Sequence, residues 1–239
     1  GSGLPKVPPR VADLGLDAIQ APKAFVAAAK RNGTRTWCYI SAGSIEEWQP
    51  DLTAFEKLDA DERRAGRPGI IGKDYDGWPG ERWLNVARFR LFLPLLAARM
   101  ERCRDKGFAM VEFDNIDAYQ QDTGFRITRG QQVAFAKALA RTARKLGLVP
   151  IQKNAPQLIG ALEPHFGALL VEDCVLWRFC GAARRYVAAG KPVFNAEYPE
   201  AWRAEGRTFD QRQACATAAR AGVDLIVKKL ALGPWVRRC

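Results

Sequence analysis

The feature that most limits what this chain can fold into is an alternation. Short apolar or β-branched runs end on polar residues, and each is followed by a stretch of helical character. Candidate strands fall at residues 11–16, 36–41, 83–86, 109–113, 149–153, 168–172, 192–197 and 224–228. Between them, residues 92–106 repeat Phe92, Leu96, Met100 and Cys103 on one helical face, and residues 130–146 repeat Val133, Ala136, Ala140 and Ala143. Gly107, Gly147, Gly190 and Gly222 each stand where a helix gives way to a strand, the place for a left-handed cap. Strand and helix in alternation build a parallel sheet. Eight repeats in 239 residues predict a single α/β domain spanning residues 1–239, a closed (β/α)8 barrel of the TIM type. Residues 47–80 break the alternation. They are rich in Asp, Arg, Gly and Pro, carry Trp48, Tyr75 and Trp78, and read as a functional loop.

Composition enters here by exclusion. With 48% hydrophobic and 26% charged residues the chain is not intrinsically disordered. No apolar run approaches the ~18 residues of a membrane span, and no membrane partner is expected. No GxGxxG or GxxxxGK[ST] follows a strand, so nucleotide cofactors have no cradle and none is expected. The formal charge of +11 raises the question of a nucleic-acid partner. The basic residues, however, spread over helix faces, as in Arg141, Arg144, Lys145, Arg184, Arg185 and Lys191, without a basic arm, so none is expected. The opening Gly1-Ser2-Gly3 reads as a cloning remnant ahead of a mature sequence whose export signal, if it had one, was trimmed.

The six cysteines, Cys38, Cys103, Cys174, Cys180, Cys215 and Cys239, form no CxxC pair, and His165 is the only histidine. That spacing does not suit a metal site, and an even set of cysteines points to disulfides and a secreted or periplasmic protein. Cys174 and Cys180 are close enough to close a local loop, and Cys239 is best used to tie down the C-terminus on Cys215. Cys38 with Cys103 is the remainder.

In a barrel, chemistry collects at the C-terminal ends of the strands. The fourth strand runs Val111-Glu112-Phe113-Asp114-Asn115-Ile116-Asp117-Ala118-Tyr119, three carboxylates and an amide within six residues. Alternation puts Glu112 and Asp114 on one face. The sixth strand ends at Glu172. Like charges repel and buried carboxylates are costly, so two acidic strand ends argue for use rather than stability. Two carboxylates facing one bond are the requirement of glycoside hydrolysis. Other strand ends add Tyr39 and Ser41, Lys153 and Asn154, Glu197 and Tyr198, and Lys228; Trp78 is a candidate for stacking on sugar, and Trp83 for the core. His165 precedes its strand, away from the catalytic face, so Ser-His-Asp chemistry is not expected.

These residues resemble a known family. Cys38-Tyr39-Ile40-Ser41-Ala42-Gly43-Ser44, Asp76-Gly77-Trp78-Pro79-Gly80-Glu81-Arg82-Trp83-Leu84, the Val111 to Tyr119 segment and Glu172-Asp173-Cys174 are together similar to the endo-α-1,4-polygalactosaminidases, glycoside hydrolase family 114. The resemblance implies a TIM barrel, Asp114 and Glu172 as catalytic pair, and an α-1,4-linked, partly acetylated galactosamine polysaccharide as partner. The chain departs from the family at Phe113, at Val171 and at Lys228-Lys229-Leu230, where proline, asparagine and a more acidic end are usual. Free galactosamine is cationic, so binding would rely on a local acidic mouth of Glu112, Asp114, Asp117, Glu172 and Glu197, within a screening length of about 8 Å.

The apolar run before Glu172 would favour its protonated form and so a general acid, leaving Asp114, beside Asn115, as nucleophile or base. A retaining reaction by a monomer is expected. A glycan-binding barrel without catalysis is the rival reading, and a glycosidase of different sugar specificity another. A charge-driven polyanion binder and a metal-dependent deacetylase fit less well, the latter for want of histidines.

Overall fold

The computed structural model describes residues 11–233 and 235–239; Gly1-Ser2-Gly3 lie outside the described residues. The described residues form two compact units, 11–150 and 151–239. Together their elements make a mixed α/β fold in which parallel strand pairs predominate.

In chain order the first unit runs β1 (Asp13–Asp17), α1 (Lys23–Arg31), β2 (Arg35–Ser41), β3 (Ser44–Glu46), α2 (Leu52–Arg64), β4 (Ile71–Asp74), β5 (Glu81–Leu84), α3 (Leu93–Lys106), β6 (Met110–Asp114) and α4 (Arg129–Lys145), and reaches the start of β7 (Val149–Lys153). β1, β2 and β6 form a parallel ladder, with Cys38 opposite Val111 and Ser41 opposite Asp114. The helices are framed by the expected signals. α3 has Pro94 in its first turn and ends at Gly107 in the left-handed conformation, φ 93°. α4 opens with a capping box in which Thr128 and Gln131 satisfy each other's backbone N–H. Gly147, Gly190 and Gly222 also take positive φ, as the sequence predicts. α4 turns Phe135, Leu139 and Ala143 inward, and Phe135 meets Phe92 edge-on with ring centroids 6.0 Å apart. Burying each such aromatic contributes about 1.5–3 kcal/mol.

Two expectations are corrected here. The segment expected at 83–86 as a barrel strand is β5, and it does not join the parallel ladder. It pairs antiparallel with both β3 and β4 in a separate sheet of order β3-β5-β4. Residues 47–80, expected as a loop, contain α2 and β4. α2 buries only Phe55 and Glu62, too sparse an apolar stripe to be seen among its charges.

The second unit contains most of β7, then α5 (Ile159–Leu162), β8 (Ala168–Glu172), α6 (Arg184–Ala188), β9 (Val193–Glu197), α7 (Pro199–Ala204), α8 (Gln211–Ala221), β10 (Asp224–Val227) and β11 (Arg237–Arg238). β7, β8, β9 and β10 are joined as parallel neighbours, while β11 pairs antiparallel with β10. The expected set of eight parallel strands is therefore not what forms. One candidate strand went to the small sheet, and the last strand of this unit runs the other way. Four consecutive residues of β8, Ala168 to Val171, are buried, as a strand covered on both faces must be.

Three disulfides close the structure: Cys38–Cys103 joins β2 to α3, Cys174–Cys180 cinches the turn after β8, and Cys215–Cys239 fastens the C-terminus to α8. This is the pairing the sequence predicts, and no cysteine is free. Thiol titration of the denatured, unreduced protein should therefore find no thiols, and six after reduction. The 65-residue separation of Cys38 and Cys103 restricts the unfolded chain most, so replacing both with alanine should cost about 2–5 kcal/mol in urea unfolding.

Candidate active site

Three strands end in the same unusual way. The residue after β6, Asn115, has φ 60°; the residue after β7, Asn154, has φ 44°; the residue after β8, Asp173, has φ 51°. Left-handed backbone at a non-glycine costs about 1–3 kcal/mol and persists only where the surroundings enforce it. Asn and Asp tolerate it best. Each of these residues directly follows a charged strand-end residue: Asp114, Lys153 and Glu172.

In the first unit the enforcing contacts are buried. The Asn115 side-chain amide lies within hydrogen-bond reach of Ser41 Oγ (3.1 Å), Ser44 Oγ (2.6 Å) and Glu81 Oε1 (3.0 Å). Ser41 also donates to Glu81 at 3.2 Å, and Ser44 contacts both Ser41 and Glu81. Burial pushes the Glu81 carboxyl above its ordinary range; the Ser44 hydroxyl pulls it back, and the charge of Asp114 adds to the rise. With its side chain so held, Asn115 donates its backbone N–H to Asp114 Oδ1 at 2.9 Å. The Asp114 carbonyl accepts from the N–H groups of Ala42 (3.1 Å) and Gly43 (3.2 Å). Gly43 has to be glycine, since a Cβ there would lie 1.7 Å from the Asn115 carbonyl oxygen. Beside this network Glu112 accepts from Trp37 Nε1 at 2.8 Å, and buried Glu46 is pushed up to about 7 by desolvation.

In the second unit the acid itself is gripped. Tyr198 donates its hydroxyl to Glu172 Oε1 at 2.7 Å, and Lys153 Nζ lies 3.2 Å from Glu172 Oε2. Asn154 Nδ2 approaches the same oxygen at 3.4 Å while Asn154 Oδ1 accepts the Glu172 backbone N–H at 2.8 Å. Lys153 and Tyr198 are buried, and Glu172 is partly exposed. The apolar setting expected for Glu172 is corrected by these contacts. The strand before it is apolar, but its carboxyl lies beyond that strand, among three polar partners.

Asp173 accepts from the Tyr198 N–H at 2.8 Å and is raised to about 7, chiefly by burial, with the charges of Glu197, Glu172 and Glu200 adding to the rise against that hydrogen bond. Glu197 is buried with its oxygens taken by the Val175 N–H, Asn195 and Trp202. As placed, it orders the turn after β8. Lys228 turns to the Gly233 carbonyl at 2.5 Å.

Asp117 caps, and Tyr119 lies in, the 3-10 turn after β6, where Gln121 donates to Asp117 at 3.1 Å and burial raises the Tyr119 phenol. Tyr39 lies on β2 opposite Glu112. Trp78 is 51% exposed, while Trp83 is core and stacks on Tyr75 at 4.3 Å. His165 precedes β8, as expected. Sequence reasoning did not single out Ser44, Glu81 or Asp173. The visible signal was an acid or hydroxyl inside the motifs already quoted, and an Asx residue directly after each charged strand end.

The model of glycoside-hydrolase family GH114 matches residues 2–239. The chain belongs to this glycoside hydrolase family. Among solved structures it is similar to Aspergillus fumigatus Ega3, a crystal structure in complex with galactosamine, with 29% identity and a TM-score of 0.85 over 99% of this chain and 91% of that one. The glycoside hydrolase domain of PelA from Pseudomonas aeruginosa shares the fold at 19% identity and a TM-score of 0.66, over 96% of this chain and 91% of that domain. An uncharacterized protein of Deinococcus radiodurans is 27% identical over 201 residues, 76% of this chain, which spans 61% of that relative's length.

The Asp173 proton gives a test of this arrangement. The folded state holds it up to about 7, against an ordinary value of 3.8, so the proton favours folding. The contribution is fully present below about pH 4 and is lost as the pH rises through about 7. Asp173→Asn keeps the acceptor for Tyr198 and should flatten the fall in melting temperature between pH 5 and 8. Glu46, with the same sign, leaves a residual slope. An unchanged slope would contradict the assignment.

Proposed function

We propose that this protein is an endo-acting glycoside hydrolase of α-1,4-linked galactosamine polysaccharide, and that Asp114 and Glu172 are its two catalytic carboxylates. The observation that carries the reading is the treatment of these two acids. Each ends a parallel strand, each is followed by a left-handed Asx residue, and each has its carboxyl or backbone fixed by buried partners. Stability alone does not require such arrangements, which concentrate strain where charge is exposed for use. Family membership supports the reaction class, and the galactosamine complex of Ega3 supports the sugar.

In the mechanism we propose, Asp114 attacks the anomeric carbon. It suits that task because a backbone N–H and the clamped Asn115 turn fix its position rather than a mobile side chain. Glu172 protonates the leaving oxygen and then, as a base, activates water, giving retention. Lys153 stabilises the carboxylate left when Glu172 has given up its proton, and the Tyr198 hydroxyl holds it in place for the second step. Trp78, Glu112, Asp117 and Tyr119 belong to the proposed sugar-binding surface. A barrel closure of the parallel strands, one catalytic domain in the whole chain, action as a monomer, and export to an oxidising compartment, where three disulfides persist, complete the proposal.

The test is hydrolysis of α-1,4-galactosamine oligosaccharides, acetylated and free, with products read by mass spectrometry. Asp114→Asn and Glu172→Gln keep the shape of each side chain and should each lower kcat by roughly a thousandfold or more, with little change in melting temperature. Near wild-type turnover in either variant would remove that residue from the pair. Binding without cleavage by the wild type would instead support a glycan-binding role.

A further inference from the structure

The chain directly after Glu172 is built more rigidly than a connecting loop needs to be. Residues 173–180 are closed by the Cys174–Cys180 disulfide, and their backbone is hydrogen-bonded from Trp177 N to Asp173 O (2.9 Å), Phe179 N to Cys174 O (2.9 Å) and Arg178 N to Val175 O (3.3 Å). Cys174, Val175 and Leu176 are buried, and Glu197 accepts the Val175 N–H at 2.8 Å. Arg178, in the left-handed region at φ 60°, completes the turn. On this pinned backbone Trp177 is 55% exposed. The bond from Trp177 N to Asp173 O closes a turn of chain and brings the Trp177 backbone back against Asp173, the neighbour of Glu172.

A large apolar ring left in solvent on an ordered backbone spares binding the cost of ordering that backbone. Its flat face accepts a ligand of matching shape. A galacto-configured pyranose presents a C–H-rich face to such a ring, and a protonated amine is drawn to the same π surface. In a chain of charge +11, an aromatic face attracts a cationic sugar without another carboxylate.

We propose that Trp177 is a sugar-stacking platform, holding the pyranose ring next to the bond on which Glu172 acts. The proposal rests on the hydrolase reading above, and names a residue that sets how strongly the chain of sugars is held. The Cys174–Cys180 disulfide is then a device for keeping the platform in place.

The experiment compares wild type, Trp177→Ala and Trp177→Phe on α-1,4-galactosamine oligosaccharides, reading kcat and KM separately, with binding measured calorimetrically in a Glu172→Gln background. Trp177→Ala should raise KM and Kd about tenfold and lower kcat much less, with an unchanged melting temperature, because the side chain is exposed. Trp177→Phe should recover most of the loss. If the wild type cleaves and Trp177→Ala has the same KM and Kd, the platform is overturned and the hydrolase reading stands. If the wild type neither binds nor cleaves these oligosaccharides, both fall together.

Discussion

The side-chain amide of Asn115 is the contact on which the first acidic strand end depends. Ser41, Ser44 and Glu81 lie around it, drawn from β2, β3 and β5, so three strands of two different sheets meet one amide belonging to the turn after a fourth strand. This explains why a small antiparallel sheet interrupts the parallel alternation. β5 delivers Glu81, and β3 delivers Ser44, to a place that β2 and β6 alone do not reach. A buried acid surrounded by donors is costly to leave half satisfied. The network therefore selects one geometry, and that geometry includes the N–H aimed at Asp114.

The second acid is held by another route. For Glu172 the partners reach the carboxyl directly: a phenol, a lysine and an amide, with Asp173 fixing the backbone of the tyrosine that supplies the phenol. Backbone fixation suits a group that must attack from one position. Side-chain donors that hold the carboxyl oxygens in place suit one that gives and then takes a proton from a fixed position. The contrast between the two environments is the physical content of the division of labour proposed for them.

The sequence showed much of this, unevenly. Parallel strands β2, β6, β7, β8, β9 and β10 were legible because each is a short apolar run with a glycine cap or turn before it, and the disulfides because Cys174–Cys180 and Cys215–Cys239 are local or terminal. Asp114 and Glu172 stood out as acids after apolar runs. What was not legible depended on distant partners. Nothing local in Glu81-Arg82-Trp83-Leu84 tells a parallel strand from an antiparallel one, and pairing with Ser44 and Ile71 decided it. The apolar run of β8 described the strand and not the end of the Glu172 side chain, where Lys153 and Tyr198 wait from β7 and the turn after β9.

Asp114 as the residue that forms a bond to the sugar is the most exposed point of the account. It can be read chemically, without reference to substrate specificity, by incubating the wild type with an activated fluorinated galactosamine glycoside that traps a glycosyl-enzyme and mapping the modified peptide by mass spectrometry. The account predicts one sugar per chain, attached at Asp114 and absent from Asp114→Asn. A label on Glu172, or turnover of the reagent with no covalent adduct at any stage, would contradict it.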